Sequence, residues 1–281
     1  MTKLTLGYSP CPNDTFVFGA LAQGLIPGAP AFAERLEDIE TLNHLVLEGQ
    51  LDVAKVSFHA LGHLRPQYCL LHAGGALGRG CGPLVVARET VEPADLHTLK
   101  IAAPGRLTTA VLLLRLFDPR IGVGPRELVL MPFHRIMEAT CQGEVDAGLI
   151  IHESRFTYPR YGLRQVMDLG AWWEEETGHP IPLGGIVARR SLGPELIGAV
   201  DRSLRASVEY ARAHPEKVRD YVAQHAQELD PEVMQAHIDL YVNEYTLDYG
   251  PAGEVAIGEL LARAAWAGVV PESDLPLFAT S

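Results

Sequence analysis

Glu48-Gly49-Gln50-Leu51-Asp52-Val53-Ala54-Lys55-Val56-Ser57 returns later in the chain as Gln142-Gly143-Glu144-Val145-Asp146-Ala147-Gly148-Leu149-Ile150-Ile151. The spacing that matches Gly49 to Gly143 also matches Thr15 to Thr109. Each copy reads as a helix stopped at glycine, a turn, and an apolar strand. Upstream of each lies another strand, a tight turn and a helix start: residues 4–8 before Pro10-Cys11-Pro12-Asn13-Asp14-Thr15, and residues 99–103 before Pro104-Gly105-Arg106-Leu107-Thr108-Thr109. A pattern repeated in one register points to two similar α/β lobes, with a small-ligand cleft between them.

Outward from the first copy, the periodicity predicts a helix over 15–23 capped by Asn13 or Asp14, a strand over 33–38, a helix over 41–48 capped by Thr41, and a strand over 53–57. A further buried strand is expected at 83–87, after the Gly-rich run Gly74-Gly75-Ala76-Leu77-Gly78-Arg79-Gly80-Cys81-Gly82. The second series reads as strand 99–103, helix 109–117, strand 127–131, helix 133–142 and strand 146–152. Alternation of this kind implies parallel strands with helical crossovers. A strand over 181–189 carries the chain back, and helices over 194–213, 215–227, 231–241 and 252–267 pack on the first lobe. The expected domains are therefore 1–92 with 190–281, larger and discontinuous, and 93–189, smaller, with crossovers near 88–98 and 186–192.

At 281 residues, 47% hydrophobic and 21% charged, the chain has an ordinary globular composition with room for a core that needs no covalent staple. A net charge of −12 argues against a nucleic-acid binder and gives no attraction to anionic membranes. The start, Met1-Thr2-Lys3-Leu4-Thr5-Leu6-Gly7, has no apolar stretch of secretory-signal length, and no run approaches the roughly 20 apolar residues of a membrane span. A cytoplasmic protein is expected. Its four cysteines form no C-x-x-C pair and read as reduced thiols.

Candidate sites gather at strand ends. Two helix starts, at Asn13-Asp14-Thr15 and Thr108-Thr109, present free N–H groups and a positive dipole end beyond the carboxyl ends of strands, where open α/β sheets bind ligands. Asn13 and Thr108 also read simply as caps. Lys55, inside an apolar strand, needs a partner, a ligand, or a path to solvent, and Ser57 shares its face. His152 ends a buried strand and is followed by Glu153 and Arg155, a setting for a general base near neutral pH or for a structural histidine. His59 and His63 have metal-pair spacing but no third ligand in sequence, and neither a dinucleotide fingerprint nor a P-loop is present. Trp172-Trp173 reads as a stacking lid or as buried packing.

Ser9-Pro10-Cys11-Pro12-Asn13-Asp14-Thr15-Phe16, Gly74-Gly75-Ala76-Leu77-Gly78-Arg79-Gly80, Gly105-Arg106-Leu107-Thr108-Thr109-Ala110 and Ile151-His152-Glu153-Ser154-Arg155-Phe156-Thr157-Tyr158 together resemble the 1,4-dihydroxy-6-naphthoate synthase family of the futalosine route to menaquinone. The resemblance covers nearly the whole chain. It implies a two-lobed, periplasmic-binding-protein-like (type II) α/β fold and a carbon–carbon lyase acting on cyclic dehypoxanthinylfutalosine, a small-molecule aromatic carboxylate. It further implies His152 as general base and Lys55, Val56, Ser57, Thr108 and Thr109 as substrate contacts, with Asn43, Ser9 and Arg79 added from the motifs around them. No metal and no cofactor are expected. The rival readings are a cytosolic solute-binding or sensor protein for a small carboxylate, and a dehydratase on the same scaffold, which lacks an evident acid opposite His152.

Overall fold

The computed structural model describes residues 3–122, 128–226 and 230–279. The expected element ends at Glu127 and Gln227 lie outside them. The chain begins with β1 (Leu4–Tyr8), α1 (Pro12–Ala22), β2 (Phe32–Leu36), α2 (Ile39–Leu47), β3 (Val53–Ser57), α3 (Phe58–Leu64), β4 (Tyr68–Leu70) and β5 (Ala76–Gly78). It continues through β6 (Leu84–Ala87), β7 (Ile101–Ala103), α4 (Thr109–Phe117), β8 (Val129–Leu130), α5 (Phe133–Gln142), β9 (Ala147–Ile150), α6 (Ser154–Thr157), β10 (Arg164–Asp168) and α7 (Leu169–Thr177). A long return strand, β11 (Ile181–Arg189), leads into α8 (Pro194–Ala213), α9 (Pro215–His225), α10 (Pro231–Tyr241), α11 (Glu244–Leu247) and α12 (Gly250–Trp266).

Two compact units result, one of Met1–Gly78 with Pro182–Ser281 and the other of Arg79–Ile181. In the first, among the described residues, the strand order is β2-β1-β3-β11-β4, with β5 also on β11; β1 runs parallel to β2 and β3, and β11 is antiparallel to β3 and β4. In the second the order is β10-β6-β9-β7-β8, with β7 parallel to β8 and β9, and β6 antiparallel to β9 and β10. This sheet membership moves the boundaries from those expected. Residues 79–92 go with the second unit because β6 completes its sheet, and 182–189 go with the first because β11 pairs with β3.

The duplicated stretch has a physical basis. Gly49 and Gly143 both take the left-handed conformation after a helix, at φ 69° and 79°. In both copies the next residue reaches back, Gln50 N to Leu45 O and Glu144 N to Ala139 O, which closes the helix end. The aspartate that follows then pins the preceding strand: Asp52 Oδ2 accepts from Thr5 N at 2.9 Å, and Asp146 Oδ2 from Lys100 N at 2.8 Å.

The starts of α1 and α2 differ from expectation in their caps. α1 begins three residues earlier, at Pro12, whose missing N–H costs nothing there, so neither Asn13 nor Asp14 is its cap. Asp38, not Thr41, caps α2, accepting from the N–H groups of Glu40 and Thr41. The first unit's core joins Leu6, Tyr8, Val53 and Ile186 of its sheet to Phe18 of α1 and Leu204 and Val208 of α8. The second packs Ile136 and Met137 of α5 on Val86, Ala102 and Ile150. Among the described residues no helix is long and apolar enough to cross a membrane.

Gly75 marks where the first core is tightest. A methyl group there would lie 2.2 Å from Tyr249 Cε1 and 2.4 Å from its hydroxyl, and that ring is fully buried. Gly75→Ala should therefore lower stability by about 1–3 kcal/mol in urea unfolding, the usual cost of overpacking, and an unchanged midpoint would contradict this packing.

Candidate active site

In the first unit the carboxyl ends of β1 and β3 hold a buried polar network built around Asp14. Lys55 Nζ lies 3.1 Å from Asp14 Oδ1, with the two side chains only 7% and 4% exposed. The Ser9 hydroxyl donates to Asp14 Oδ2 at 2.7 Å, and Asn13 Nδ2 donates to Oδ1 at 3.0 Å. Lys55 also donates to the Gly74 carbonyl at 3.4 Å. Of the fates open to Lys55, the structure thus realises the partner: its charge is matched inside the unit. Gly184 on β11 is where it fits, since a Cβ there would meet Lys55 Cε at 3.2 Å and the Val56 carbonyl oxygen at 2.8 Å.

His237 of α10 extends the network, its Nε2 lying 2.9 Å from Asn13 Oδ1. With that oxygen accepting, the amide must turn its Nδ2 towards Asp14. Beside the ion pair, Asn43 brackets Ser57: its Oδ1 accepts from Ser57 N at 2.9 Å and its Nδ2 donates to Ser57 Oγ at 3.2 Å. Ser9, Asn43, Lys55 and Ser57 therefore sit in one neighbourhood. The Val56 side chain, by strand alternation, is buried on the opposite face and belongs to the core.

In the second unit Thr108 caps α4, its Oγ1 accepting from Val111 N at 3.3 Å and donating to Gly105 O at 2.9 Å. Thr109 follows as the first, buried residue of that helix, where the positive end of the dipole lies. His152 stands two residues beyond β9 with φ 57°, the one non-glycine residue of positive φ among those described. Histidine tolerates this region better than most side chains, but the conformation costs of order 1–2 kcal/mol. Its ring meets Phe133 edge-on at 5.0 Å. The turn is anchored by Arg155, which donates to Asp168 Oδ2 and to the Gly82 carbonyl, both at 2.7 Å.

Other expected candidates lie elsewhere. The Arg79 guanidinium meets Glu174 at 3.4 Å and the Gly178 carbonyl at 2.8 Å. Trp173 is fully buried with its indole N–H on the Pro180 carbonyl, so that indole is core packing, and the half-buried Trp172 packs edge-on to Phe117. His59 and His63 lie on α3 with rings 5.8 Å apart, and burial holds the His63 imidazole below its ordinary value. Among the described residues no three-ligand cluster includes either. Cys81 is buried, which pushes its thiol up to about 12 and leaves no thiolate at neutral pH. Asp14, part of an expected ligand-binding helix start and one of two expected caps, is instead the ion-pair partner of Lys55. His237, which the sequence did not single out, lies 224 residues from the Asn13 it meets.

Two α/β units of mixed sheets, with polar side chains at the carboxyl ends of their parallel strands, define a periplasmic-binding-protein-like fold. A Candida albicans protein described as having that generic fold matches with a TM-score of 0.67 at 14% identity, over 98% of this chain and 92% of its own. A solved protein from Archaeoglobus fulgidus reaches 0.89 at 36% identity, over 95% and 98% of the two chains. Residues 4–266 match the family described as menaquinone biosynthesis, and the chain belongs to it. The 1,4-dihydroxy-6-naphthoate synthase of Thermus thermophilus is 53% identical over 99% of this chain and 100% of its own, and that of Streptomyces coelicolor 52% identical over 95% of each. The chain is an enzyme of menaquinone biosynthesis.

The buried ion pair can be tested apart from catalysis. Lys55→Met leaves Asp14 charged and uncompensated and should cost about 3–5 kcal/mol in urea unfolding, while adding Asp14→Asn should recover part of the loss. Additive losses in the double variant would contradict the pairing.

Proposed function

We propose that the enzyme is a lyase that converts cyclic dehypoxanthinylfutalosine to 1,4-dihydroxy-6-naphthoate, with His152 as the general base. The observation that carries this reading is the strained backbone of His152. A fold keeps a left-handed non-glycine residue only where its surroundings impose it, and such residues cluster at functional sites. Its position past the end of β9 and the names of the relatives support the same assignment.

The chemistry asks little of the protein beyond positioning. His152 takes a hydroxyl proton from the sugar-derived portion, and that oxygen becomes a carbonyl as the carbon–carbon bond at the spiro centre breaks. The bond's electron pair passes into the bicycle, which becomes an aromatic dihydroxynaphthoate, and the sugar-derived portion leaves as a carbonyl compound. Aromatisation drives the step, so one placed base suffices. Because Asp14 already matches Lys55, the substrate carboxylate falls to the helix start at Thr108 and Thr109, where N–H groups and dipole favour an anion. Ser57, held by Asn43, takes a substrate hydroxyl or carbonyl.

Incubation with the cyclic futalosine derivative should give naphthoate absorbance, and binding without spectral change would favour a sensor instead. His152→Gly separates chemistry from folding. Glycine suits φ 57°, so the variant should unfold at an equal or higher urea concentration while turnover falls by about 10²- to 10⁴-fold. A stable variant with near-normal turnover would remove His152 from the reaction.

A further inference from the structure

Glu153 has no task in the fold that explains its burial. It is 9% exposed, and among the described residues its Oε2 has no hydrogen-bond partner. The nearest arginine in sequence, Arg155, is already committed to Asp168 and the Gly82 carbonyl. Only the Glu153 backbone is used locally, its carbonyl accepting from Phe156 N at 2.9 Å. A carboxylate oxygen buried without a partner is costly, and folds retain such groups where a charge arrives during function. The charge that can arrive here is on the same turn: a carboxylate oxygen of Glu153 and a ring nitrogen of His152 lie within 4.8 Å.

We propose that Glu153 is a positioning residue for His152, a fixed negative charge that stabilises the imidazolium formed when His152 takes the substrate proton. The inference rests on the general-base reading above. It assigns Glu153 no contact with substrate and no proton transfer of its own: the proton moves to His152, and Glu153 answers only the positive charge that appears. The residue order enforces the arrangement. The left-handed backbone at His152 turns the chain, His152 O accepts from Arg155 N at 3.3 Å to close the turn, and Arg155 fastens the turn to β10. The charge is thus in place before the reaction and needs no rearrangement to act, which is how preorganised electrostatics favours a transition state.

Glu153→Gln keeps the shape and removes the charge. Its kcat should fall about 10- to 100-fold, the effect of an opposite charge within 4–6 Å, while KM stays within about threefold, and Glu153→Asp should recover part of kcat. In a His152→Ala background the same change should cost nothing further, because it acts through the imidazole. Unchanged kcat, a loss confined to KM, or an equal loss without His152 would each overturn the proposal. If the wild-type protein shows no turnover, the lyase reading fails separately. NMR of the His152 ring nitrogens at one fixed pH still decides this inference: resonances that move in Glu153→Gln support the coupling, and resonances that do not move overturn it.

Discussion

A charge buried away from water must be matched, at a cost of several kcal/mol if it is not, and the two units meet that constraint in opposite ways. In the first, Asp14 collects the ammonium of Lys55, the hydroxyl of Ser9 and the amide of Asn13. Asn43 and Ser57 are paired beside it. In the second, Glu153 keeps an oxygen without a partner beside a histidine in a strained turn.

The return strand makes the first half of this possible. β11 enters antiparallel between β3 and β4, and its Gly184 and Gly185 present no side chains where Lys55 and the Tyr249 hydroxyl need space. Cβ atoms there would press on Lys55 Cε and on the Val56 carbonyl, and Gly185 would meet Tyr249 Oη at 2.7 Å. The same strand draws the C-terminal helices onto the first unit, which is why α10 can deliver His237 to Asn13.

Much of this was legible in the residues because the repeat is itself a structural device. Gly49 and Gly143 end helices in the left-handed conformation, and Asp52 and Asp146 pin the preceding strands, so the pattern Gly-x-x-Asp carries information about backbone geometry. The strands β1 and β3 and the helices α4, α5, α8 and α10 run between the expected residues for the same reason: apolar periodicity and proline or glycine punctuation agree there. The strands β4, β5 and β10 were not legible: β4 and β5 have three residues each and no period to read, and β10 pairs with β6, far away in sequence. The domain boundary followed from this, because β6 looks like the end of the first series until its antiparallel partners are known. Among the candidates, His152 is marked in the sequence by its place at a strand end and Asp14 by its helix start, but the Asp14–Lys55 pairing and the His237 contact across 224 positions leave no local mark.

The central claim is that the imidazole beyond β9 meets the ligand, and modification by diethyl pyrocarbonate, mapped by mass spectrometry with and without 1,4-dihydroxy-6-naphthoate, tests it most directly. The account predicts that carbethoxylation of His152 tracks the loss of turnover and that product blocks both. Labelling of His152 that proceeds equally with saturating product, or that leaves turnover intact, would contradict it.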